Sequence, residues 1–302
     1  MSYVALPTST TDPGVSDLGV VVRVAGELNV HALDQEFVTE FHAEIDGRHA
    51  IIWHIMGSRA KGWSSTSVLG DACEYLDTSQ PRANDVSAAS TYYIRSSSAS
   101  DDGNPVGTGA RTVRIYYLDT TGVAATVTVT MDGTTATILP EGTAGAGAGK
   151  GYSYFLWAEV ATVGSNTESV GDIAISTTAA GAPAVSTIVE WIERGGNRSL
   201  SGRCKVPLAH TGYLIDWQAS AISATMDVRV RADSFSDDDT LSSGVFHFKD
   251  RAFLASGANA DRTLHYKKVP ALCEVKVSAY PGGAPAGNKI DCDFDILLIA
   301  DA

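Results

Sequence analysis

The chain has 302 residues, 44% of them hydrophobic and 19% charged, and it carries a formal net charge of −13 at pH 7. Enough apolar surface is present to fold, and the acidic balance argues against a nucleic-acid ligand, which is bound through clustered Lys and Arg. No run approaches the about 20 apolar residues of a membrane helix, and the first residues lack the basic and apolar regions of a signal peptide, so we expect neither a membrane span nor export by that route.

The first 85 residues are predicted to form an extended arm followed by a β-hairpin. The segment from Met1 to about Asn29 contains many Ser, Thr and Gly residues and is too polar to build its own core, so we expect other subunits to hold it. The hairpin pairs the alternating segment Phe37–Ile45 with Ala50–Ile55 across Asp46-Gly47, a dipeptide that favours a tight turn. A helix over the first of these segments is the alternative, because apolar residues also recur there every four positions. One short helix is predicted at Ser67–Leu76.

Residues 86–183 are predicted to form a first β-sandwich. Apolar and polar residues alternate in Thr112–Leu118 and in Ala125–Met131, which is the pattern of half-buried strands. Asp132-Gly133 follows and predicts a second hairpin, with Thr134–Leu139 as its return strand. Two further strands are predicted at Tyr154–Val160 and Asp172–Ser176.

Residues 184–302 are predicted to form a second β-sandwich, after a linker rich in Ala, Gly and Pro at 179–184. Many short strands joined by Gly- and Ser-rich turns indicate sandwiches. The predicted fold is therefore all-β, with two tandem antiparallel β-sandwich domains of jelly-roll-like type, an extended N-terminal arm and a hairpin. The strands of the second sandwich are predicted at Val185–Ile192, Tyr213–Ala219, Thr225–Ala232, Gly244–Lys249, Cys273–Ala279 and Asp291–Ile299.

No catalytic, cofactor-binding or metal site is predicted. The Gly-rich loop at 142–151 lacks the Ser or Thr that must follow Lys150 in a phosphate-binding loop. The acidic run at 237–239 lacks the spacing of a calcium loop, so we expect a solvated loop there. Asp291, Asp293 and Asp295 alternate along a strand and share one face, which holds a cation, meets basic residues of another subunit, or faces solvent.

The four cysteines are predicted to be free. Cys73, Cys204, Cys273 and Cys292 lie far apart in the sequence and form no Cys-x-x-Cys pair, so neither a zinc site nor a disulfide framework is indicated. We expect small, buried, apolar side chains at these positions. If a disulfide exists, Cys273 and Cys292 are the pair we expect to form it.

Clustered aromatic residues point to both faces of several predicted strands. They occur at Tyr92-Tyr93, at Tyr116-Tyr117 and in the segment Tyr152–Trp157. One face of each strand is expected in the core. The other is either a protein interface or a platform for sugars, because Tyr and Trp serve both purposes.

Several segments resemble a module of tailed-bacteriophage virion proteins. The resemblance covers roughly residues 90 to 300 and includes no chemical motif. It rests on Gly107–Asp119 (GTGARTVRIYYLD), Val127–Thr135 (VTVTMDGTT), Val163–Asn166, Val170–Ile173 and Val206–Leu214 (VPLAHTGYL).

The resemblance implies a structural component of the virion, assembled in the bacterial host cytoplasm: a capsid decoration, or a neck, tail or fibre-attachment protein. Such a protein acts through contacts with other virion proteins. Because its N-terminal arm must be held by neighbouring subunits, we also expect the chain to form a homo-oligomer, a trimer or ring, and its charge and hydropathy predict that it binds neither nucleic acid nor membrane. It carries no catalytic residues, so we do not expect an enzyme. The main alternative is a host-receptor or glycan-binding module on the particle surface, and a glycan-degrading enzyme is a third possibility.

Overall fold

The computed structural model of the protein describes residues 50–59, 86–143, 145–183, 187–221, 225–234, 242–281 and 290–301. The predicted N-terminal arm, the first strand and turn of the N-terminal hairpin, the helix at Ser67–Leu76 and the acidic run at 237–239 lie outside these ranges. Within the ranges the chain forms fifteen β-strands and no α-helix. In chain order they are β1 (Ala50–Arg59), β2 (Tyr93–Ser96), β3 (Ala110–Asp119), β4 (Ala124–Thr130), β5 (Thr137–Ile138), β6 (Tyr152–Val163), β7 (Ile173–Ser176), β8 (Ile188–Ile192), β9 (Arg203–Lys205), β10 (His210–Ala221), β11 (Met226–Ser234), β12 (Ser242–Leu254), β13 (Asn259–Val269), β14 (Glu274–Pro281) and β15 (Ile290–Ala300).

Each strand predicted within the described ranges overlaps one of these strands, so the all-β prediction is confirmed. Three strands were not predicted: β2, β9 and β13. β2 and β9 have four and three residues, which is too short to show a clear alternation. β13 is an edge strand of mostly polar residues, and edge strands often carry charged side chains on both faces.

The strands form four small antiparallel sheets. Sheet I has the order β1-β15-β10-β13, sheet II the order β12-β11-β14-β9, sheet III the order β5-β2-β7-β8, and sheet IV the order β4-β3-β6. The four sheets are arranged like the blades of a four-bladed β-propeller. The prediction of two tandem β-sandwich domains of jelly-roll-like type is therefore wrong.

Sheet IV gives the physical reason for this correction. Its residues Leu118, Tyr154 and Leu156 join the core cluster that also contains the inner residues of sheets I and II. Their sequence neighbours Tyr117 and Phe155 belong to a second cluster, which is shared with sheet III. Both faces of sheet IV therefore pack, whereas each sheet of a two-layer sandwich buries one face. Period-two alternation identifies strands, but it does not reveal how many layers stack on them.

Strand pairing links segments that are distant in sequence. β1 pairs with β15 along its whole length, from Ala50 opposite Ile299 to Arg59 opposite Ile290. β8 follows the Ala/Gly/Pro-rich segment at 179–184 and pairs with β7, which precedes that segment. Pairing thus crosses positions 85/86 and 183/184, where the sequence predicts domain divisions. The division into 1–85, 86–183 and 184–302 itself stays a prediction.

The turn at Asp132-Gly133 is present, but it does not close a hairpin. Gly133 has a φ of +54°, in the left-handed region that glycine tolerates. β4 before the turn pairs with β3 in sheet IV, and β5 after it pairs with β2 in sheet III. The predicted hairpin is therefore wrong, because this turn carries the chain from one sheet to the next. The Gly133 amide donates to the Asp101 carbonyl at 2.9 Å, which ties the turn to a neighbouring loop.

A buried carboxylate holds the loops between sheets III and IV. Asp101 is fully buried, and its Oδ1 accepts hydrogen bonds from the backbone amides of Ala110 at 2.7 Å and Val170 at 2.8 Å. Its Oδ2 accepts from the Gly171 amide at 2.8 Å and from the Ser96 hydroxyl at 2.6 Å. Four donors offset the cost of removing this carboxylate from water. Asp101 is therefore an architectural residue.

The cysteines depart from the prediction at one position. Cys204 and Cys273 are free and buried, as expected. Cys292 on β15 is disulfide-bonded, so the expectation of four free cysteines is wrong. The expected pairing of Cys292 with Cys273 is wrong as well, because Cys273 is free. The spacing of cysteines in a sequence does not reveal such a bond, because a disulfide requires only that two Cα atoms come within about 4.4–6.8 Å in the fold.

Candidate functional site

The described residues contain no group of three or more His, Cys, Asp or Glu side chains placed to hold a metal ion. None of the elements in these ranges is a helix that could cross a membrane. Three features on the outer faces of the sheets bring charged, polar or aromatic side chains together. They are an acidic face on sheet I, an Arg–Phe face on sheet II and a trough on sheet III.

The acidic face is the outer face of sheet I. The aspartates of β15 share this face, as their alternation predicted, while the intervening residues point into the core. The strand register places Asp295 beside His54 of β1 on one side and beside Asp216 of β10 on the other. His54 Nδ1 lies 2.5 Å from Asp295 Oδ1. The face as a whole comprises Asp216, Asp261, Asp291, Asp293 and Asp295.

Two carboxyl groups of the acidic face, those of Asp216 and Asp293, have raised pKa values. Partial burial, and then the charges of Asp295, Asp261 and Asp293, raise the pKa of Asp216 to about 6. Partial burial also raises the pKa of Asp293, and the charges of Asp295 and Asp261 add to that rise while His54 opposes it. Asp216 and Asp293 therefore bind protons more readily than an exposed aspartate, first because they are partly buried and second because other carboxylates lie nearby.

The Arg–Phe face is on the outer side of sheet II and comprises Asp227, Arg229, Phe248, Arg251 and Phe253. Asp227 Oδ1 accepts from Arg251 Nε and its Oδ2 accepts from Arg251 Nη2, both at 2.6 Å. Arg229 Nε donates to the same carboxylate at 2.9 Å. Arg251 Cζ lies 4.2 Å from the ring centroid of Phe253, and Arg229 Cζ lies 5.3 Å from that of Phe248.

The two phenylalanines of the Arg–Phe face are exposed. Phe248 is 57% and Phe253 69% accessible, while the alternate residues of β11 on the other side of the sheet are buried. Partial burial raises the pKa of Asp227, but hydrogen bonds from Arg251 and Arg229, together with their charges, outweigh burial and bring that pKa below its usual value. Aromatic residues and Arg are enriched in the centres of protein interfaces, so this face has the chemistry of a contact surface.

The sequence predicted only part of the Arg–Phe face. The strand predicted at Thr225–Ala232 includes Asp227 and Arg229, but the strand predicted at Gly244–Lys249 ends before Arg251 and Phe253. The register of β11 with β12 shifts between Val230 opposite Asp250 and Arg231 opposite Phe248. This bulge inserts one residue and interrupts the alternation, which hid the continuation of β12.

A buried charged cluster lies where sheets II, III and IV meet. Arg203 is fully buried, with its guanidinium 3.8 Å from a Glu190 carboxylate oxygen and 3.9 Å from one of Glu274. The Ser201 hydroxyl donates to Glu190 at 2.7 Å, and Arg203 Cζ lies 4.9 Å from the ring centroid of Tyr154. Burial raises the pKa of Glu274, and the charge of Arg203 partly offsets that rise. The cluster is enclosed by protein, so we interpret it as a structural junction. No sequence pattern marks it, because its members come from separate segments.

A trough crosses the outer face of sheet III. Arg95 of β2 lies opposite Ala174 of β7, and Ala174 lies opposite Trp191 of β8. Neighbouring strands are about 4.8 Å apart, so the backbones of β2 and β8 are roughly 10 Å apart, with Arg95 and Trp191 on either side of the buried Ala174. The cavity between them has a volume of about 550 Å³, and Ser97, Thr134, Asp172 and the segment 181–183 also line it.

Hydrogen bonds fix the polar wall of the trough. Arg95 Nη2 donates to the Thr134 carbonyl at 2.5 Å, whereas Nη1 is buried without a hydrogen-bond partner. Asp172 accepts from the Arg194 amide at 2.9 Å, and its own amide donates to the Ser97 hydroxyl at 2.9 Å. The trough therefore combines one aromatic wall with donors and acceptors on the other.

The aromatic clusters singled out in the sequence do not form an open platform. Tyr92, Tyr117, Tyr152 and Phe155 lie in the core between sheets III and IV. On the other face of sheet IV, Tyr116 stacks on Trp157 with ring centroids 4.5 Å apart, and Trp53 of β1 meets Trp157 edge-on at 5.3 Å. These rings pack against the core cluster of sheets I and II.

Comparisons with known proteins give weak likenesses. No protein-family model matches the chain, and no curated protein matches it. A structure of the Gx strain of infectious bursal disease virus is 9% identical, covering 85% of this chain and 74% of its own, with a TM-score of 0.24. The T13 particle of the same virus is 7% identical, with 85% and 71% coverage and a TM-score of 0.23. The VP2 subviral particle of that virus is 9% identical, with 83% and 72% coverage and a TM-score of 0.20. Likenesses at this level do not establish a shared fold or function, and these structures are not from a tailed phage.

Proposed function

We propose that the chain is a structural component of a tailed-phage virion that works through protein–protein contacts and catalyses no reaction. It serves as a capsid decoration or as a neck, tail or fibre-attachment protein. Its partners are other virion proteins and copies of itself, in a trimer or ring. The segments that resemble virion proteins support this role, and the observation that carries it is the Arg–Phe face.

The Arg–Phe face is built to bind a protein surface. Covering one exposed phenylalanine by a partner contributes about 2 kcal/mol, and two stand on this face. Arg251 is already held in place by its two hydrogen bonds to Asp227, so binding costs little additional side-chain entropy. Its free edge, above the Phe253 ring, remains available to acceptors on a partner.

The test is assembly of a variant in which both phenylalanines are replaced, Phe248→Ser with Phe253→Ser. Val106→Ser is the matched control, because Val106 is 66% exposed and lies outside sheet II. Quantitative mass spectrometry of purified particles should show at least a tenfold loss of the double variant, because a loss of about 1.4 kcal/mol already reduces binding tenfold. The control should be incorporated normally.

Full incorporation of the double variant would overturn the proposal that this face makes the contact. The copy number of the wild-type chain then decides its place in the particle. Hundreds of copies indicate a capsid decoration, and roughly six to twelve indicate a ring in the neck or tail.

A further inference from the structure

The outer edge of β4 is a row of backbone groups on a regular strand. β4 is the end strand of sheet IV, and among the described residues it pairs with β3 alone. Two hydrogen bonds at the ends of this ladder show which residues of β4 face β3. The Met131 amide donates to the Arg111 carbonyl, and the Asp119 amide donates to the Val123 carbonyl, both at 2.9 Å.

The outward backbone groups belong to exposed residues. Odd-numbered residues of β4 have the phase of those two bonds, so their amides and carbonyls bond to β3. The amides and carbonyls of the even-numbered residues therefore point away from β3. These residues also have exposed side chains, and they are Ala124, Thr126, Thr128 and Thr130. Such an edge is a template on which another strand can add.

The other edge strands in the described ranges are protected, as edges of natural sheets usually are. β5 and β9 have only two and three residues. β1, β6 and β8 form bridges to residues 198–201, which cover part of their edges. β12 and β13 carry several charged residues and shift register against their neighbours. β4 has seven residues, AATVTVT, with no charge, no proline and no register shift.

We propose that β4 pairs with β4 of a second copy of this chain, antiparallel about a two-fold axis at Val127. Outward-facing residues must pair with outward-facing residues, because only they have backbone groups to exchange. Thr126 then lies opposite Thr128 of the second copy, and Val127 lies opposite its own counterpart. This register overlaps the whole of β4 with itself and joins the two copies of sheet IV into one continuous sheet.

Both faces of β4 continue across this junction without a mismatch, which favours a second copy over an unrelated strand. On one face, Ala125 and Val127 pack at the margin of the core cluster that sheets III and IV share. The junction brings Val127 against its counterpart and Ala125 against Val129, so this apolar margin is extended. On the other face threonines meet, and cross-strand threonine pairs are favourable. β4 carries no charge, so no like charges oppose each other.

This inference goes beyond the proposed structural role, because it adds a two-fold contact to the Arg–Phe face. The two surfaces lie on different sheets, IV and II. If the Arg–Phe face holds the chain in a trimer or ring, the β4 contact joins one such assembly to the next. Each contact can be removed while the other is kept, so the two proposals fail separately.

The experiment is analytical ultracentrifugation of the full chain with Phe248→Ser and Phe253→Ser, which removes the Arg–Phe contact and leaves β4 unchanged. This chain should dimerise with a Kd of about 1–100 μM, as expected of a small interface. Adding Thr126→Lys with Thr128→Lys should weaken the dimer at least about tenfold, because the register places the new lysines opposite each other. The control pair, Thr135→Lys with Ser165→Lys, adds the same charge at exposed positions outside β4 and should leave the dimer unchanged.

Charge reversal tests the register itself. Thr126→Glu with Thr128→Glu, in the same chain, should also prevent dimers when present alone. An equal mixture of the lysine and glutamate variants should form mixed dimers, since each new lysine then lies opposite a new glutamate. Thermal melting checks that each variant is folded, which we expect because the substituted threonines are exposed.

Amide hydrogen exchange tests the same contact with β4 unsubstituted. Raising the chain concentration from about 1 μM to about 1 mM should slow exchange of the Thr126 and Thr128 amides at least about threefold. The Val127 and Val129 amides bond to β3 in every copy, so their exchange should not change.

The proposal is wrong if the chain remains monomeric to about 1 mM, or if the lysine variant dimerises as tightly as its control. A lysine–glutamate mixture that forms no mixed dimers also contradicts it, because another strand then occupies the edge or the register differs. Equal exchange of the Thr126 and Thr128 amides at both concentrations contradicts it too, because β4 is then either unpaired or covered within one copy.

Discussion

The outer faces of sheets I and II differ in what surrounds their aspartates, although the inner faces of both sheets pack into one core cluster. On sheet I, partial burial and the neighbouring carboxylates raise the pKa of Asp216 to about 6. On sheet II, Asp227 is held between Arg229 and Arg251, and its pKa is lowered. The same alternation of buried and outer residues thus supports two surfaces of opposite chemistry. The inner residues of both sheets must be apolar to pack the core. The outer residues are not constrained in this way, so they determine the chemistry of each surface.

The largest expected difference between the two sheets is covalent. Cys292 of sheet I is disulfide-bonded, whereas Cys204 of sheet II is free. Cys292→Ala should lower the free energy of unfolding by about 3 kcal/mol, because a disulfide restricts the unfolded chain. Cys204→Ala removes a buried thiol of the same size and should cost only about 1 kcal/mol. Urea denaturation of both variants measures the two costs.

Equal costs for the two cysteine variants would show that no disulfide contributes in sheet I. Intact-mass measurement provides a separate check. Alkylation of the unfolded, unreduced chain should leave Cys292 unlabelled, and prior reduction should make it reactive.

The second difference concerns the arginine-held aspartate. Asp227→Asn keeps the shape but removes the charge between Arg229 and Arg251, so the free energy of unfolding should fall by about 1–2 kcal/mol near neutral pH. A lowered pKa means that this contribution exists above the unfolded value of about 3.9 and is lost as the pH falls through the folded value. The variant and the wild type should therefore converge in acid. Asp261→Asn on the acidic face is the control and should not destabilise; a cost equal to that at Asp227 would contradict the contrast between the faces.

The third difference has the opposite sign. The raised pKa of Asp216 means that the folded protein binds this proton more tightly than the unfolded chain does. Its contribution to stability is present below the unfolded pKa of about 3.9 and is lost as the pH rises through about 6. Asp216→Asn should therefore stabilise the protein above pH 6, by about 1 kcal/mol, because solvent screens these partly exposed groups. Chemical denaturation as a function of pH measures this gain, and a gain that persists below pH 4 would refute the assignment to ionisation.

The sequence predicted the structure correctly where the pattern of apolar and polar residues lies within a single strand. Alternation identified β3, β4, β6 and β11, and it placed the aspartates of β15 on one face. It failed where the answer depends on contacts between distant segments. The pairing of β1 with β15, the two packed faces of sheet IV and the disulfide at Cys292 are all tertiary features.

Turn-forming residues likewise predicted the local backbone but not the pairing of the strands that they connect. Asp132-Gly133 predicted a turn with positive φ at Gly133, and the structure has one. A dipeptide does not determine which sheet the next strand joins, so the hairpin inferred from it was wrong. The trough shows the same limit: Arg95, Ala174 and Trp191 are separated by up to 96 positions in sequence and meet only through the register of three strands.

The smallest expected difference is in the response to salt. Raising the salt from about 0.1 to 1 M shortens the screening length from about 10 to about 3 Å. Repulsion on the acidic face acts between carboxylates on different strands, so screening should remove much of the part of the Asp216→Asn gain that repulsion supplies, while the part that comes from burial remains. The Arg251–Asp227 contact is direct, at 2.6 Å, and leaves no room for an ion between its partners, so the cost of Asp227→Asn should fall less. Each variant is compared with the wild type at the same salt concentration, so effects common to all chains cancel. If salt reduced the effects of Asp216→Asn and Asp227→Asn equally, the two aspartates would experience similar long-range electrostatic fields. The contrast between the two faces would then not extend beyond the direct contacts of each side chain.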